Sequence, residues 1–520
     1  MSGPSTPERT AAAELLLLSP MALSGLALSS SRKRQITPTA EATSPKRIAV
    51  ITRPGAVSPL LNCIHRSTFP NPLGWFRMAE LAHIDQRLPL YERIFPNPLF
   101  QGTLAQGPQM LPLARHIILP FDLRDQPDNV FDHDKRELVM SIFPGTTGIA
   151  CDSIFIILQL HTLPPKPWPL TIGGVPLYLT LQIGSGGPIP QGRFVGSRNG
   201  SIAKDQKGRG MKDWEPLFHI IKGHFQGLGV SITEVMYWGD FVIIILKHHD
   251  VDMEKLPSQA AKIRCLYLFD DQMGRPSAPQ ARCLTDPTPG NPDNSQYNTL
   301  QPGLRVTSSY LPSNPDTFLS TTSGVLLKDQ VGNEFMTVAS HGFPAECGTQ
   351  VFHAQPGNGR KIGELIMEIS HTDITLVKLQ DTETFSNMTF QSNNSPNQIQ
   401  LKKLVPVKGR QRYEEVSLDS PDTGLINGSL VVTSFQAVPS DNNSPVLQWV
   451  FTTWIYGGQD SAINLPEGMC GSAIWNEDGD VLGFFRYAPK EGVMKDWCAG
   501  IAADELIDRG FALVNTSDRT

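Results

Sequence analysis

The 520-residue chain is poor in cysteine, with seven, and no two of them form a Cys-x-x-Cys pair or stand at zinc-ligand spacing. Cys63, Cys151, Cys265, Cys283, Cys347, Cys470 and Cys498 are scattered and odd in number, which excludes a disulfide framework and predicts reduced thiols in a reducing compartment. No stretch reaches the ~20 apolar residues of a membrane span. The apolar run from Leu15 to Leu28 lacks the basic start of a secretory leader: Glu8 and Glu14 stand against Arg9, and Pro20 interrupts it. Positive charge is also lacking. A net charge of -6 gives no nucleic-acid footprint over the whole chain.

Cofactor signals are equally thin. Gly184-Ser185-Gly186-Gly187 has no Gly-Lys-Ser/Thr after it, and Pro188 and Pro190 oppose a helix start, so no phosphate cradle is expected. His219 and His224 miss the i, i+4 spacing of two ligands on one helix face. His248 and His249 would point to opposite faces of a strand, and Asp132-His133-Asp134 reads as a solvated turn. No metal and no cofactor is expected.

What is present predicts a multidomain chain, since 520 residues exceed one compact domain. Residues 1–47, rich in Ser, Thr, Pro and Ala, read as a disordered tail. Its basic clusters, Arg32-Lys33-Arg34 and Lys46-Arg47, have the spacing of a bipartite signal for a nuclear import receptor. Residues 48–282 mix strand-like runs (Ser153–Leu160, Val175–Ile183, Phe241–Leu246) with helical patterns at Asp213–Phe225 and Met253–Ile263, giving an N-terminal α/β or α+β domain of unknown role. The breakers in Asp286-Pro287-Thr288-Pro289-Gly290-Asn291-Pro292 mark a linker over 283–304. From 305 to 515 short strands follow one another closely, as in a sandwich or barrel pair, and a last helix is expected over Ala502–Arg509.

Three segments of that C-terminal domain carry chemistry. Phe335-Met336-Thr337-Val338-Ala339-Ser340-His341 is a β-run that ends on a histidine. Asp373-Ile374-Thr375-Leu376-Val377-Lys378-Leu379 begins on a carboxylate and then alternates as a half-buried strand. Gly468-Met469-Cys470-Gly471-Ser472 places a thiol between glycines, where backbone N–H groups can converge beside the sulfur. Base, orienting acid and nucleophile thus occur in the order His, Asp, Cys.

These segments resemble the three signatures of the trypsin/chymotrypsin-like peptidases: an Ala-Ala-His strand end at Ala339-Ser340-His341, an Asp-Ile-Ala-Leu-Leu-Lys-Leu strand at Asp373–Leu379, and a Gly-Asp-Ser-Gly-Gly turn at Gly468–Ser472. A cysteine nucleophile in Gly-x-Cys-Gly is also that of the viral chymotrypsin-fold cysteine proteases. The resemblance spans Val306 to Leu513 and implies an all-β double barrel with a C-terminal helix, and a cleft between the barrels. It implies an endopeptidase acting on a polypeptide substrate, with His341, Asp373 and Cys470 as triad and the N–H groups of Gly468 and Cys470 as oxyanion hole. Asn464 would lie at the base of the specificity pocket, and Phe484, Phe485, Arg486 and Tyr487 would form its wall.

Departures narrow the expectation. Secreted members carry a disulfide cysteine directly after the histidine; Gly342 stands there, which favours an intracellular protein, cytoplasmic or nuclear. The aspartate that answers activation cleavage in the zymogens is replaced by Met469, so that route to an oxyanion hole is closed. His353 and His371 compete with His341 as base, and Ser472 with Cys470 as nucleophile. The alternative function is a catalytically inactive, protease-like peptide-binding or adaptor protein. The matches Asn387-Met388-Thr389 and Asn427-Gly428-Ser429 would be glycosylation sites only on a secreted chain.

Overall fold

The structure is a computed structural model. It describes the backbone of Lys46–Arg47, then residues 116–123 and 132–515 apart from 153, 167, 183–186, 197–199, 203–213, 277–281, 286–292, 294, 345–347, 358, 393–397, 409, 411–412, 439–447 and 462–464. The expected tail signal at Arg32, Lys33 and Arg34 therefore lies outside the described residues, while Lys46–Arg47 pairs as a two-residue strand with Gln391–Ser392. The described residues divide into two compact units, with the break between Ile189 and Pro190.

The first unit has a five-stranded mixed sheet in the order His116–Ile117, Thr171–Ile172, Val175–Thr180, Ile156–Leu160, Thr146–Cys151, and one helix, His133–Ile142. The continuous apolar run from Ile154 to Leu158 is buried throughout, as a strand covered on both faces requires. Asp132-His133-Asp134 is not a free turn but the helix start. The Asp132 carboxylate accepts from the N–H groups of Asp134 and Lys135, satisfying donors that the first turn leaves open.

The second unit begins well before the expected linker, because β-pairing is not local. Its larger sheet contains a closed six-stranded barrel: Glu414–Ser420, Ala473–Trp475, Asp480–Tyr487, Trp497–Ala502, Gln448–Tyr456 and Gly424–Val438, the last pairing back to the first. The fifteen-residue strand Gly424–Val438 serves two partners. Leu425–Leu430 closes the barrel, whereas Thr433–Gln436 takes Glu234–Tyr237 as a neighbour, and Phe241–Leu246 and Ile263–Phe269 follow outward. Glu234, fully buried, accepts from Ser434 Oγ, the Arg275 guanidinium and Trp454 Nε1, which fastens the extension to the barrel. The helix Glu215–Leu228 lays Leu217, Phe218, Ile221 and Phe225 on this sheet and stops at Gly229, whose φ of 68° only glycine adopts readily.

The second helix expected upstream, over Met253–Ile263, is absent. Met253–Lys255 makes one 3-10 turn, and the apolar run Ile263–Phe269 is a buried strand instead, parallel to Phe241–Leu246. The linker expected at 283–304 is likewise interrupted by structure, since Arg282–Thr285 is the edge strand of the other sheet. That nine-stranded antiparallel sheet runs Arg282–Thr285, Asn314–Thr322, Arg305–Leu311, Gln350–His353, Arg360–Ile369, Ile374–Leu379, Glu334–Ala339, Leu326–Lys328, Ala512–Leu513. It curls until Asn314–Thr322 lies back against Glu334–Ala339. The terminal helix is shorter than expected, Asp504–Ile507, and the chain turns away at Gly510 with φ of 84°.

Asn387 is buried, and its amide bonds Leu326 N, Leu326 O and Val514 O; Asn427 is also buried and bonds Ser417. Neither side chain is open to a glycan in the folded protein.

Candidate active site

The strand Glu334–Ala339 ends in a single 3-10 turn, Ser340–Gly342, which turns His341 out of the sheet. The neighbouring strand starts at Ile374, immediately after Asp373, whose φ of 61° is a left-handed conformation that Asp tolerates better than most residues. Antiparallel pairing of Ala339 with Ile374 puts the two strand ends side by side. His341 Nδ1 then meets Asp373 Oδ2 at 2.7 Å, and the His341 backbone N–H donates to Oδ1 at 3.1 Å. A second clamp runs alongside, from Ser340 N to Asp373 O at 2.9 Å. The carboxylate thus fixes both the ring and its backbone.

Cys470 sits on the turn before Ala473–Trp475, with Gly468 and Gly471 on either side at φ of 95° and 88°. A Cβ at Gly471 would fall 2.7 Å from Thr322 O and 2.8 Å from Ala339 N, so the turn lies backbone to backbone against the sheet that carries His341. Burial alone would lower the imidazole pKa. The interactions with Asp373 and Cys470 override it and raise His341 to about 10. The thiol is nevertheless not aimed at the ring. Cys470 Sγ donates to Arg486 O at 2.8 Å, and His341 Nε2 is buried with no hydrogen-bond partner of good geometry among the described residues. The two groups are electrostatic neighbours, and the sulfur rests on Arg486 O.

Two of the three competing residues are engaged elsewhere, His353 and Ser472. His353 is buried between Arg305 O, 2.8 Å from Nδ1, and the Tyr297 N–H, 3.0 Å from Nε2. His371 occupies the turn before Asp373 at φ of 66°. Ser472 is fully buried and donates to Asp419 O at 2.9 Å, which removes it as a nucleophile. Met469 is fully buried in an apolar cluster with Met469's neighbours Cys470 and Ile474.

The carbonyls of Gly468, Met469 and Cys470 all accept hydrogen bonds: from Thr322 Oγ1, from Ser472 N, and from Thr322 N with Thr321 Oγ1. Among the described residues nothing accepts from the N–H groups of Gly468 or Cys470. Sequence reasoning missed Thr321 and Thr322 altogether, because a pair of threonines in a strand is a common pattern.

The expected pocket wall needs correction. Phe484 and Phe485 are buried on opposite sides of their strand in two different apolar clusters, and Tyr487 is buried with its hydroxyl on Gln436. Side chains that complete a core cannot line an open pocket. Arg486 alone in this run keeps exposure, with a long contact from Nη1 to Gln436. Asn464 lies outside the described residues.

The histidines weighed as metal ligands are dispersed: His219 faces Glu215, His249 pairs with Asp271 at 3.0 Å, and among the described residues no three metal-binding side chains gather. Among the described residues Cys265, Cys283, Cys470 and Cys498 form no disulfide. Among the described residues no helix is long and apolar enough to cross a membrane.

No family model and no curated protein matches the chain. Solved structures of chymotrypsin-like proteases are similar to about two-fifths of it at low identity. A Nocardiopsis protease is 15% identical, with 42% of this chain and all of that one covered, at a TM-score of 0.29. Protease A of Thermobifida fusca is 12% identical over 42% of this chain and 99% of that one, TM-score 0.29. The active form of the Rv3671c protease from M. tuberculosis is 13% identical over 40% and 79%, TM-score 0.28.

Proposed function

We propose that the protein is a cysteine endopeptidase in which Cys470 is the nucleophile, His341 the base and Asp373 the residue that fixes the imidazole. The observation that carries this reading is the doubly held pair, with Asp373 on both Nδ1 and the backbone N–H of His341, beside a thiol on a two-glycine turn. Asp373 leaves Nε2 as the ring atom that faces the sulfur and stabilises the imidazolium. A positive ring favours the thiolate beside it. Attack on a peptide carbonyl would give an oxyanion facing the N–H groups of Gly468 and Cys470. The proton on Nε2 then passes to the leaving amine, and water hydrolyses the thioester.

A second reading is supported by the resting geometry: a thiol bonded to Arg486 O and only 6% exposed suits a cleft that holds a peptide without cutting it. Labelling with a peptide-like thiol electrophile separates the two. Peptidase chemistry requires a label that is lost in Cys470→Ala and slowed sharply in His341→Ala. Labelling spread over the other thiols, the exposed Cys283 first, and indifferent to His341 would leave the binding reading.

A partner at the import receptor through Lys46–Arg47 and the basic residues before it remains a separate proposal, tested by whether nuclear entry depends on Arg32–Arg34 irrespective of Cys470.

A further inference from the structure

Resting on the peptidase reading, we infer that Thr321 and Thr322 are positioning residues that keep the oxyanion hole formed in the free protein, without any activating cleavage. Both are fully buried at the end of the strand Asn314–Thr322. Thr322 Oγ1 donates to Gly468 O at 2.8 Å, which sets the peptide plane between the two proposed N–H donors. Thr322 N donates to Cys470 O at 3.2 Å, and Thr321 Oγ1 donates to the same oxygen at 2.5 Å. The other side of that peptide is held by Gly471 N–H on Phe485 O at 2.9 Å.

A hole fails when a peptide flips and presents its oxygen where an N–H should be. At Gly468 the danger is real, since a glycine at φ of 95° has no side chain to bar the rotation. The Thr322 hydroxyl bars the flip of the Gly468–Met469 peptide, which stands between the two proposed donor peptides, and so keeps the Gly468 oxygen turned onto Thr322. Thr321 also touches the base segment: its Cβ and Cγ2 lie 2.9 Å from where a Gly342 side chain would begin, directly after His341. One threonine pair therefore joins the nucleophile turn to the histidine turn. Met469, buried in apolar surroundings, has no charge with which to do so.

The test uses the full chain and two probes of Cys470, with Cys470→Ala subtracted as background. Iodoacetamide alkylates a thiolate without forming an oxyanion. Para-nitrophenyl acetate acylates it through one: the thiolate forms the Sγ–C bond, the C–O bond to nitrophenolate breaks and that anion leaves, and the proton stays on His341. Thr322→Val is expected to slow acylation roughly a hundredfold, as loss of an oxyanion donor does, with alkylation changed less than about twofold; Thr321→Val should act in the same direction. Thr322→Ser should restore acylation, because it keeps the hydroxyl. Acylation at the wild-type rate in Thr322→Val, or equal losses with both probes, would overturn this inference and leave the peptidase reading standing. Wild-type protein that is alkylated independently of His341 and shows no Cys470-dependent acylation would overturn both.

Discussion

The Cys470 thiol donates to the carbonyl of Arg486 at 2.8 Å, so the sulfur leans on the strand Asp480–Tyr487, while among the described residues the imidazole Nε2 has no hydrogen-bond partner. Asp373 holds the ring from the other nitrogen, Nδ1, at 2.7 Å.

His341 should stay protonated well past neutrality. Burial pulls its pKa down, but Asp373 and Cys470 more than reverse that, to about 10. Nitrogen-15 NMR of the side chain should show the wild-type ring titrating near that pH, lower in Cys470→Ala and lower again in Asp373→Asn. A wild-type midpoint below 7 would refute the charged ring. Because the folded value is raised above 6.5, the stabilisation is complete below pH 6.5 and disappears as pH rises through 10. His341→Gln should flatten that part of the alkaline stability profile.

Asp152 gives the opposite contrast within the first unit. Asp152 is partly buried, with Oδ2 shut off from solvent and from partners among the described residues; burial raises the carboxyl to about 7 against the N–H bonds of Phe155 and Ile154, which lower it. An acid whose folded pKa is raised costs stability as pH climbs from 3.8 to 7, where the unfolded chain ionises and the folded one resists. Asp152→Asn keeps an oxygen for both N–H groups without the charge. It should raise the melting temperature of this unit at pH 8 and leave it nearly unchanged at pH 4; an equal effect at both would reject the titration.

Two glycine substitutions should differ sharply. Gly471→Ala would force a methyl into Thr322 O and Ala339 N at a φ of 88°. Its cost should reach about 3 kcal/mol or more, in the range of strain at a special backbone position combined with overpacking. Gly424→Ala, at φ of 69° with nothing within 4 Å, meets only the backbone penalty of about 1 kcal/mol. Urea unfolding of both variants measures the difference, and equal costs would show that the turn yields.

Asp422 should matter out of proportion to its size. Its Oδ1 takes both Arg282 and Arg305, the latter at 2.6 Å and fully buried, and its Oδ2 lies 3.4 Å from a side chain built at Gly468. Asp422→Asn leaves a buried guanidinium without its carboxylate, which typically costs about 3–5 kcal/mol. Combining it with Arg305→Met should recover part of that loss in chemical denaturation. Asp422→Asn at wild-type stability would show the guanidinium finding another acceptor.

The pairing of His341 with Asp373 was legible because each stands at a strand end, where an alternating or β-branched run stops: Val338-Ala339 before His341 and Ile374 after Asp373. The strands Glu334–Ala339, Ile374–Leu379 and Gln448–Tyr456 follow the apolar pattern to within a residue. Thr321 and Thr322 were hidden, since their meaning lies in acceptors 149 and 146 residues away. The unit boundary was hidden for the same reason. Asp286–Pro292 has every local mark of a linker, yet Glu234–Tyr237 far upstream hydrogen-bonds to Thr433–Gln436. Phe484 and Phe485 misled because successive residues of a strand covered on both faces are buried in two different cores.

The backbone seam at Gly471 also has a meaning in time. Thr322, Ala339 and Gly471 touch there without a side chain between them, and they come from chain positions that only a completed fold brings together. Contacts between such distant segments form slowly and late. Cys470 reactivity that depends on His341 should therefore return only with the final phase of refolding, after most of the β-structure signal has recovered, which makes the thiol a clock for the closing of the two sheets.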